Sequence, residues 1–166
     1  MSVADSLFAS APAEGIPDLF GPLLGDWRVR NRSLDEATGE WHEVEFTWSF
    51  ARTLDGRGVQ DVIVLDGGAV AGTTVRAWDA DREVWRVAWF GVRGRHFSTH
   101  VARASDGGIR LEGTGEDGRA LRWEFGELTD SGFVWEGRVE TADGWLLEQR
   151  MDAVRRPGPG ATASTA

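Results

Sequence analysis

The chain has no cysteine, no lysine and no tyrosine. The first absence excludes disulfides, thiolate metal ligation and a cysteine nucleophile together. The second removes Schiff-base chemistry, and the third removes a phenol as proton donor. Acid–base work is left to His, Asp, Glu and Arg, and only three His are present. Positive charge is scarce: 18 Arg stand against 27 Asp and Glu, for a net charge of −9, and they form no basic cluster. Nucleic-acid binding depends on neutralising phosphates, so no such partner is expected, and an anionic membrane is disfavoured for the same reason. No apolar run approaches the roughly 18 residues that span a bilayer. The opening MSVADSLFASAPAEG carries Asp5 and Glu14 but no basic leader, so a cytoplasmic location is the expectation.

Aromatic residues, by contrast, are abundant. Nine Trp and eight Phe occur in 166 residues, and each buried ring removes about 150–250 Å² from water. That supply suffices for one core; a second would need roughly another 100 residues. Residues 1–15 and 156–166 are rich in Ala, Ser, Gly and Pro, which predicts a flexible N-terminus and a disordered tail flanking a domain at 16–155.

Within 16–155 apolar and polar residues alternate with period two, in segments of about seven to eleven residues separated by Gly- and Asp-containing turns. The pattern predicts ten strands, at 26–34, 41–51, 58–65, 73–79, 83–91, 96–104, 109–115, 120–128, 133–141 and 145–154. One short helical stretch is expected at 16–24. Turns such as Asp106-Gly107, Asp117-Gly118 and Asp143-Gly144 supply the positive φ of tight hairpins. A ten-strand meander exposes two edges unless it closes. The fold expected is therefore all-β, a single antiparallel up-and-down barrel, with an open two-sheet sandwich as the alternative.

The segment LLGDW, Leu23 to Trp27, preceded by a short apolar turn, resembles the Gly-x-Trp opening of calycins, the group that includes lipocalins, fatty-acid-binding proteins and nitrobindin. The runs NRSLDEATGEWHEVEF, GTTVRAWDADREVWRVAWF, WEGRV and GWLLEQRM are similar to a large bacterial family of lipocalin-like barrels. The likeness covers Leu23 to Arg155. It implies that Arg150 or Arg155 packs across Trp27. It also implies that Asn31, Asp61, Arg76, Arg122 and Glu136 match positions where that family keeps polar groups, some lining a cavity. Haem relatives hold their proximal His toward the C-terminal strands. Here the last His is His100, so neither haem nor another cofactor is expected.

Alternation places Val44, Phe46, Trp48 and Phe50 on one face, and likewise Trp85, Val87 and Trp89; Leu121, Trp123 and Phe125; Phe133, Trp135 and Val139; and Trp145, Leu147 and Met151. These faces should point inward, either filling the barrel or leaving room for one ligand. Asp61 interrupts the apolar series Val59, Ile63 and Leu65, and an inward carboxyl needs a partner such as Arg76. His96, Ser98 and His100 share a face, but two His four apart on a strand stand roughly 13 Å apart, too far for a shared metal. Arg122 with Glu124, Glu136 with Arg138, and Glu148 with Arg150 could instead form an outward cross-strand ladder.

These residues point to a pocket for a small hydrophobic or ring-containing molecule. The leading expectation is a cofactor-free enzyme (isomerase, cyclase or a lyase such as a dehydratase). In it Asp61, His96 and His100 would move protons, and Asn31, Trp48, Arg76, Trp89, Arg122, Trp123, Trp135 and Glu136 would bind ligand. A carrier or sensor, and a structural interaction domain with a filled core, are the alternatives; monomer and homodimer are both compatible.

Overall fold

The computed structural model describes residues 8–9, 11–92 and 97–157. A two-residue strand, β1 (Phe8–Ala9), precedes ten long ones: β2 (Gly25–Leu34), β3 (Trp41–Thr53), β4 (Gly58–Leu65), β5 (Val70–Asp79), β6 (Val84–Gly91), β7 (Phe97–Ser105), β8 (Gly108–Thr114), β9 (Ala120–Gly126), β10 (Gly132–Thr141) and β11 (Gly144–Arg155). From β2 to β11 each strand pairs antiparallel with the next. β11 then returns to β2, from Gln149 opposite Ser33 to Arg155 opposite Trp27. The ten strands thus form a closed up-and-down barrel, and closure satisfies the backbone groups that an open meander would leave on its edges. The hairpin glycines Gly107, Gly118 and Gly144 take φ of +79°, +82° and +113°.

The helical expectation at 16–24 is corrected. Only a single 3-10 turn forms, Gly21–Leu23. Nine residues are too few to sustain a helix unaided, and Pro17 and Pro22 each remove a backbone donor. The segment instead crosses one end of the barrel and inserts Phe20 and Leu23, both fully buried. Phe20 meets Trp85 edge-on with centroids 5.2 Å apart. Arg52 anchors the crossing through Asp18 at 2.8 Å. At the same end Arg155 lies over the Trp27 ring, 4.0 Å from its centroid, and donates to the carbonyls of Leu24, Pro22 and Asp130.

The outer wall carries ion pairs across strands. From β8 to β11 and on to β2 they run Arg110–Glu124–Arg138–Glu136–Arg150–Asp152–Arg32. Each exposed pair contributes about 0–1 kcal/mol, so the ladder sets which face is outward more than it stabilises. Two expectations are corrected here. Glu136 is a rung of this ladder, and Arg122 bonds Glu112 at 3.2 Å while stacking on Trp145 at 4.3 Å. Both belong to the outer wall. Trp145 and Leu147 likewise leave the inward series, because the register slips between Gly137 and Arg138: Gly137 faces Gln149, Arg138 faces Leu147, and Glu148 is the extra residue.

Candidate functional site

The plugged half of the barrel is filled with rings: Trp27, Phe50, Phe125 and Phe133 pack at centroid distances between 4.7 and 6.4 Å. The other half is open. A cavity of about 300 Å³ is walled by Phe46, Trp48, Trp89, Trp123, Phe125 and Trp135, with Asn31, Thr74, Arg76 and Gln149 as its polar groups. It shares Trp89, Trp123 and Gln149 with a wider space of about 450 Å³ toward the mouth, bordered by Ser33, Leu34, Phe97, Asp117, Arg119 and Glu148. Inward glycines make room for the walls. A side chain at Gly72 would run into the Trp89 ring, and one at Gly137 would meet Trp135.

At the deep end Arg76 Nη2 donates to Asp61 Oδ2 at 2.6 Å, and the Thr74 amide donates to Asp61 Oδ1 at 3.1 Å. Both charged side chains are shut away from solvent, at 2% exposure for Arg76 and 0% for Asp61. The register explains the meeting: Asp61 of β4 lies opposite Thr74 of β5, and Arg76 is two residues further along the same inward row. Phe20, Phe50 and Phe125 surround the guanidinium at 5.0, 5.3 and 6.0 Å. None of them is a hydrogen-bond acceptor of ordinary strength. Arg76 Nε and Nη1 and the Trp48 indole N–H consequently have no acceptor among the described residues. Each such buried donor costs about 1–3 kcal/mol.

Asn31 accepts from Gln149 Nε2 at 2.7 Å, which fixes both amides on the wall. His100 lies behind that wall, its ring 3.8 Å from the Trp123 ring and its Nε2 sharing a hydrogen bond of 2.9 Å with Ser98 Oγ. Burial, with the Arg76 charge as second cause, lowers its pKa to about 4, so it is neutral at pH 7. At the mouth Glu148 is held above the ordinary carboxylate range, first by burial and then by the nearby Glu36 charge. Arg119 is nearby but already engaged by Glu36 and Asp117.

The sequence-derived candidates therefore divide by position. Asn31, Trp48, Arg76, Trp89, Trp123 and Trp135 come together on the cavity wall. Asp61 stands behind Arg76 and His100 behind Trp123, neither bordering these two spaces. Arg122 and Glu136 are on the outer wall, and His96 lies outside the described residues. Glu148, expected beside Arg150 in the outward ladder, instead lines the mouth, and Gln149 lines the site without having been singled out. The signal was present in Leu146-Leu147, two successive apolar residues that break strict alternation. Among the described residues no group of three or more His, Asp or Glu could hold a metal ion. No helix there is long and apolar enough to cross a membrane.

A closed barrel with one plugged end and one hollow, ring-lined end belongs to the lipocalin-like architecture. Among solved structures, an S-type phycobiliprotein lyase from Guillardia theta superposes with a TM-score of 0.58 at 16% identity, over 84% of this chain and 91% of the lyase. A redesigned β-barrel aligns more loosely, with a TM-score of 0.39 at 10% identity over 84% and 96% of the two chains. No family model and no curated protein matches the sequence. The likeness to the lyase is one of fold.

Proposed function

We propose that this protein binds a small, hydrophobic, ring-containing molecule inside the barrel and holds it there without a cofactor, as a carrier or sensor. The observation behind the proposal is the half-empty barrel. Ligand pockets are concave, of about 300–1,000 Å³, mostly apolar, with a few placed polar groups. The inner cavity and its mouth fall in that range, with four indoles as walls and Arg76, Asn31 and Gln149 as polar points. A holding role is favoured over turnover by the placement of Asp61 and His100. One is spent on an ion pair and the other is neutral behind an indole, so neither meets a ligand directly.

A second reading, a cofactor-free isomerase, cyclase or dehydratase, is favoured by Glu148. A carboxyl with a raised pKa on a cavity wall can move a proton. Orientation alone can lower a barrier by about 7–11 kcal/mol, so one such group would be enough.

Tryptophan fluorescence tests the binding. Titration with a panel of aromatic, terpenoid and linear tetrapyrrole compounds should give saturable quenching by at least one class at a ratio near one to one. The tetrapyrrole is included because of the lyase neighbour. Absence of quenching across the panel would reject the pocket. Where a bound compound is also converted, Glu148→Gln should abolish conversion and retain quenching.

A further inference from the structure

Two side-chain amides stand together on the cavity wall, joined by one hydrogen bond, and what that bond leaves over defines a ligand chemistry. We infer that Asn31 and Gln149 recognise a cyclic amide, a lactam or imide whose C=O and N–H lie side by side in a planar ring system; the inference rests on the pocket proposed above and names the class of molecule it takes.

Asn31 of β2 and Gln149 of β11 meet at the seam that closes the barrel, where Met151 lies opposite Asn31 and Gln149 opposite Ser33. Both line the inner cavity, and Gln149 also borders the wider space toward the mouth. Gln149 Nε2 donates to Asn31 Oδ1 at 2.7 Å. Asn31 Nδ2 and Gln149 Oε1 then have no partner among the described residues, although Asn31 is only 4% exposed. Neither atom is sealed off, in contrast to the Arg76 and Trp48 nitrogens packed among rings. The small surface that Asn31 keeps therefore opens on the cavity that it lines. Buried polar groups in folded proteins are paired in the great majority of cases, and this pair is half used.

What remains is one donor and one acceptor. Each amide carries both functions, so turning the two over exchanges their roles and leaves the same count. A carboxylate has no proton for the acceptor, and it would lie near Glu148 in a pocket walled by rings, at a large desolvation cost. An ammonium offers nothing to the donor, and a ketone or ether uses the donor alone. A ring amide satisfies both without adding charge: its oxygen accepts from Asn31 Nδ2 and its N–H donates to Gln149 Oε1. The indoles of Trp48, Trp89, Trp123 and Trp135, on the same cavity, favour a flat conjugated body attached to it.

Three tricyclic compounds of one outline test this: phenanthridinone, with both C=O and N–H; phenanthridine, with an acceptor nitrogen alone; and phenanthrene, with neither. Each is titrated into the full-length protein and followed by tryptophan quenching and calorimetry. Phenanthridinone should bind roughly tenfold more tightly than phenanthridine, the net return of about one further hydrogen bond, and phenanthrene should bind least. In Gln149→Leu the preference for phenanthridinone over phenanthridine should disappear, while retained binding of phenanthrene shows that the variant is folded. A second readout needs no variant. Asn31 is the one asparagine of the chain, and Gln60 and Gln149 are its two glutamines, so their side-chain NH2 signals are few enough to follow by NMR. Phenanthridinone should move the signals of the Asn31–Gln149 pair downfield of their positions with phenanthrene. Gln60, bonded to Thr73, should stay unmoved. Binding of phenanthridinone no tighter than that of the other two, a preference that survives Gln149→Leu, or unmoved Asn31 and Gln149 signals would overturn the cyclic-amide assignment while leaving the pocket standing. Failure of all three to bind while another class of compound quenches would do the same. Failure of all three, with quenching absent across the wider panel as well, would overturn the pocket and this inference together.

Discussion

Arg155, on the last strand, lies flat against Trp27, on the first barrel strand, with its guanidinium 4.0 Å from the ring centroid. The same guanidinium donates to three carbonyls, those of Leu24, Pro22 and Asp130. Trp27 answers with its own N–H to the Leu23 carbonyl at 2.7 Å. One side chain therefore ties the plug segment, the β9–β10 turn and the closing strand pair to one point. Arg155→Ala should lower unfolding free energy by about 2–3 kcal/mol, from lost cation–π contact and charge-assisted hydrogen bonds. Urea unfolding followed by fluorescence measures it, and Arg155→Lys should restore only a minor part because a single ammonium cannot span three acceptors.

The Asp61–Arg76 pair should behave differently when broken from one side and when removed whole. Asp61→Ala leaves a buried guanidinium without its counter-charge, at an expected cost of about 3–5 kcal/mol. Asp61→Asn combined with Arg76→Gln removes both charges and should be more stable than Asp61→Ala. A double-mutant cycle by denaturant unfolding shows whether the two sites couple.

Acid should weaken the fold through His100. Its folded pKa of about 4 lies below the unfolded value of 6.5, so between those values the unfolded chain binds the extra proton. Stability is full above pH 6.5 and falls as pH drops from 6.5 toward 4, by on the order of 3 kcal/mol at most. Unfolding midpoints of the wild type and His100→Gln across this window give the comparison, and the variant should lose less.

Glu148 should show the opposite sign. Its folded pKa is raised above 4.5 by burial, so its contribution is fully present below pH 4.5 and is lost as pH rises through the folded value. Glu148→Gln should therefore be more stable than the wild type at pH 7, and the advantage should vanish on acidification below pH 4.5. Paired denaturation curves at the two pH values decide it.

The width of the cavity depends on a glycine. A methyl at position 137 would meet the Trp135 ring, so Gly137→Ala should push that indole toward the ligand space. The variant should stay folded yet bind any quenching ligand at least several-fold more weakly, which fluorescence titration reports.

The strand rhythm was legible because alternation needs only the residues themselves, and ten strands with Asp-Gly turns leave few ways to hide edges other than closure. The Asp61–Arg76 meeting was legible for a similar reason, since a carboxyl interrupting an apolar strand must find a partner. Face assignments failed where alternation slips. Glu148 is an extra residue only relative to Gly137 and Arg138 on the partner strand, so the bulge that sends Trp145 and Leu147 out of the inward series cannot be seen in β11 alone. Alternation sets Arg122 and Glu136 on the face opposite Trp123 and Trp135, and only the resemblance drew them toward the cavity. Their partners, Glu112 and the β8–β11 ladder, hold them outside.

By itself the sequence determined an all-β chain, without cysteine chemistry, carrying enough rings for one core and polar groups enough to line part of it. Period-two patterning and turn glycines are local properties, and local properties are written in the chain. The tertiary structure alone decided that the rings fill one end and leave the other hollow, because filling depends on which side chains meet across the barrel. It alone also decided that Asp61 cancels the charge of Arg76 inside the barrel, because the pair forms only where β4 and β5 set the two side chains against each other.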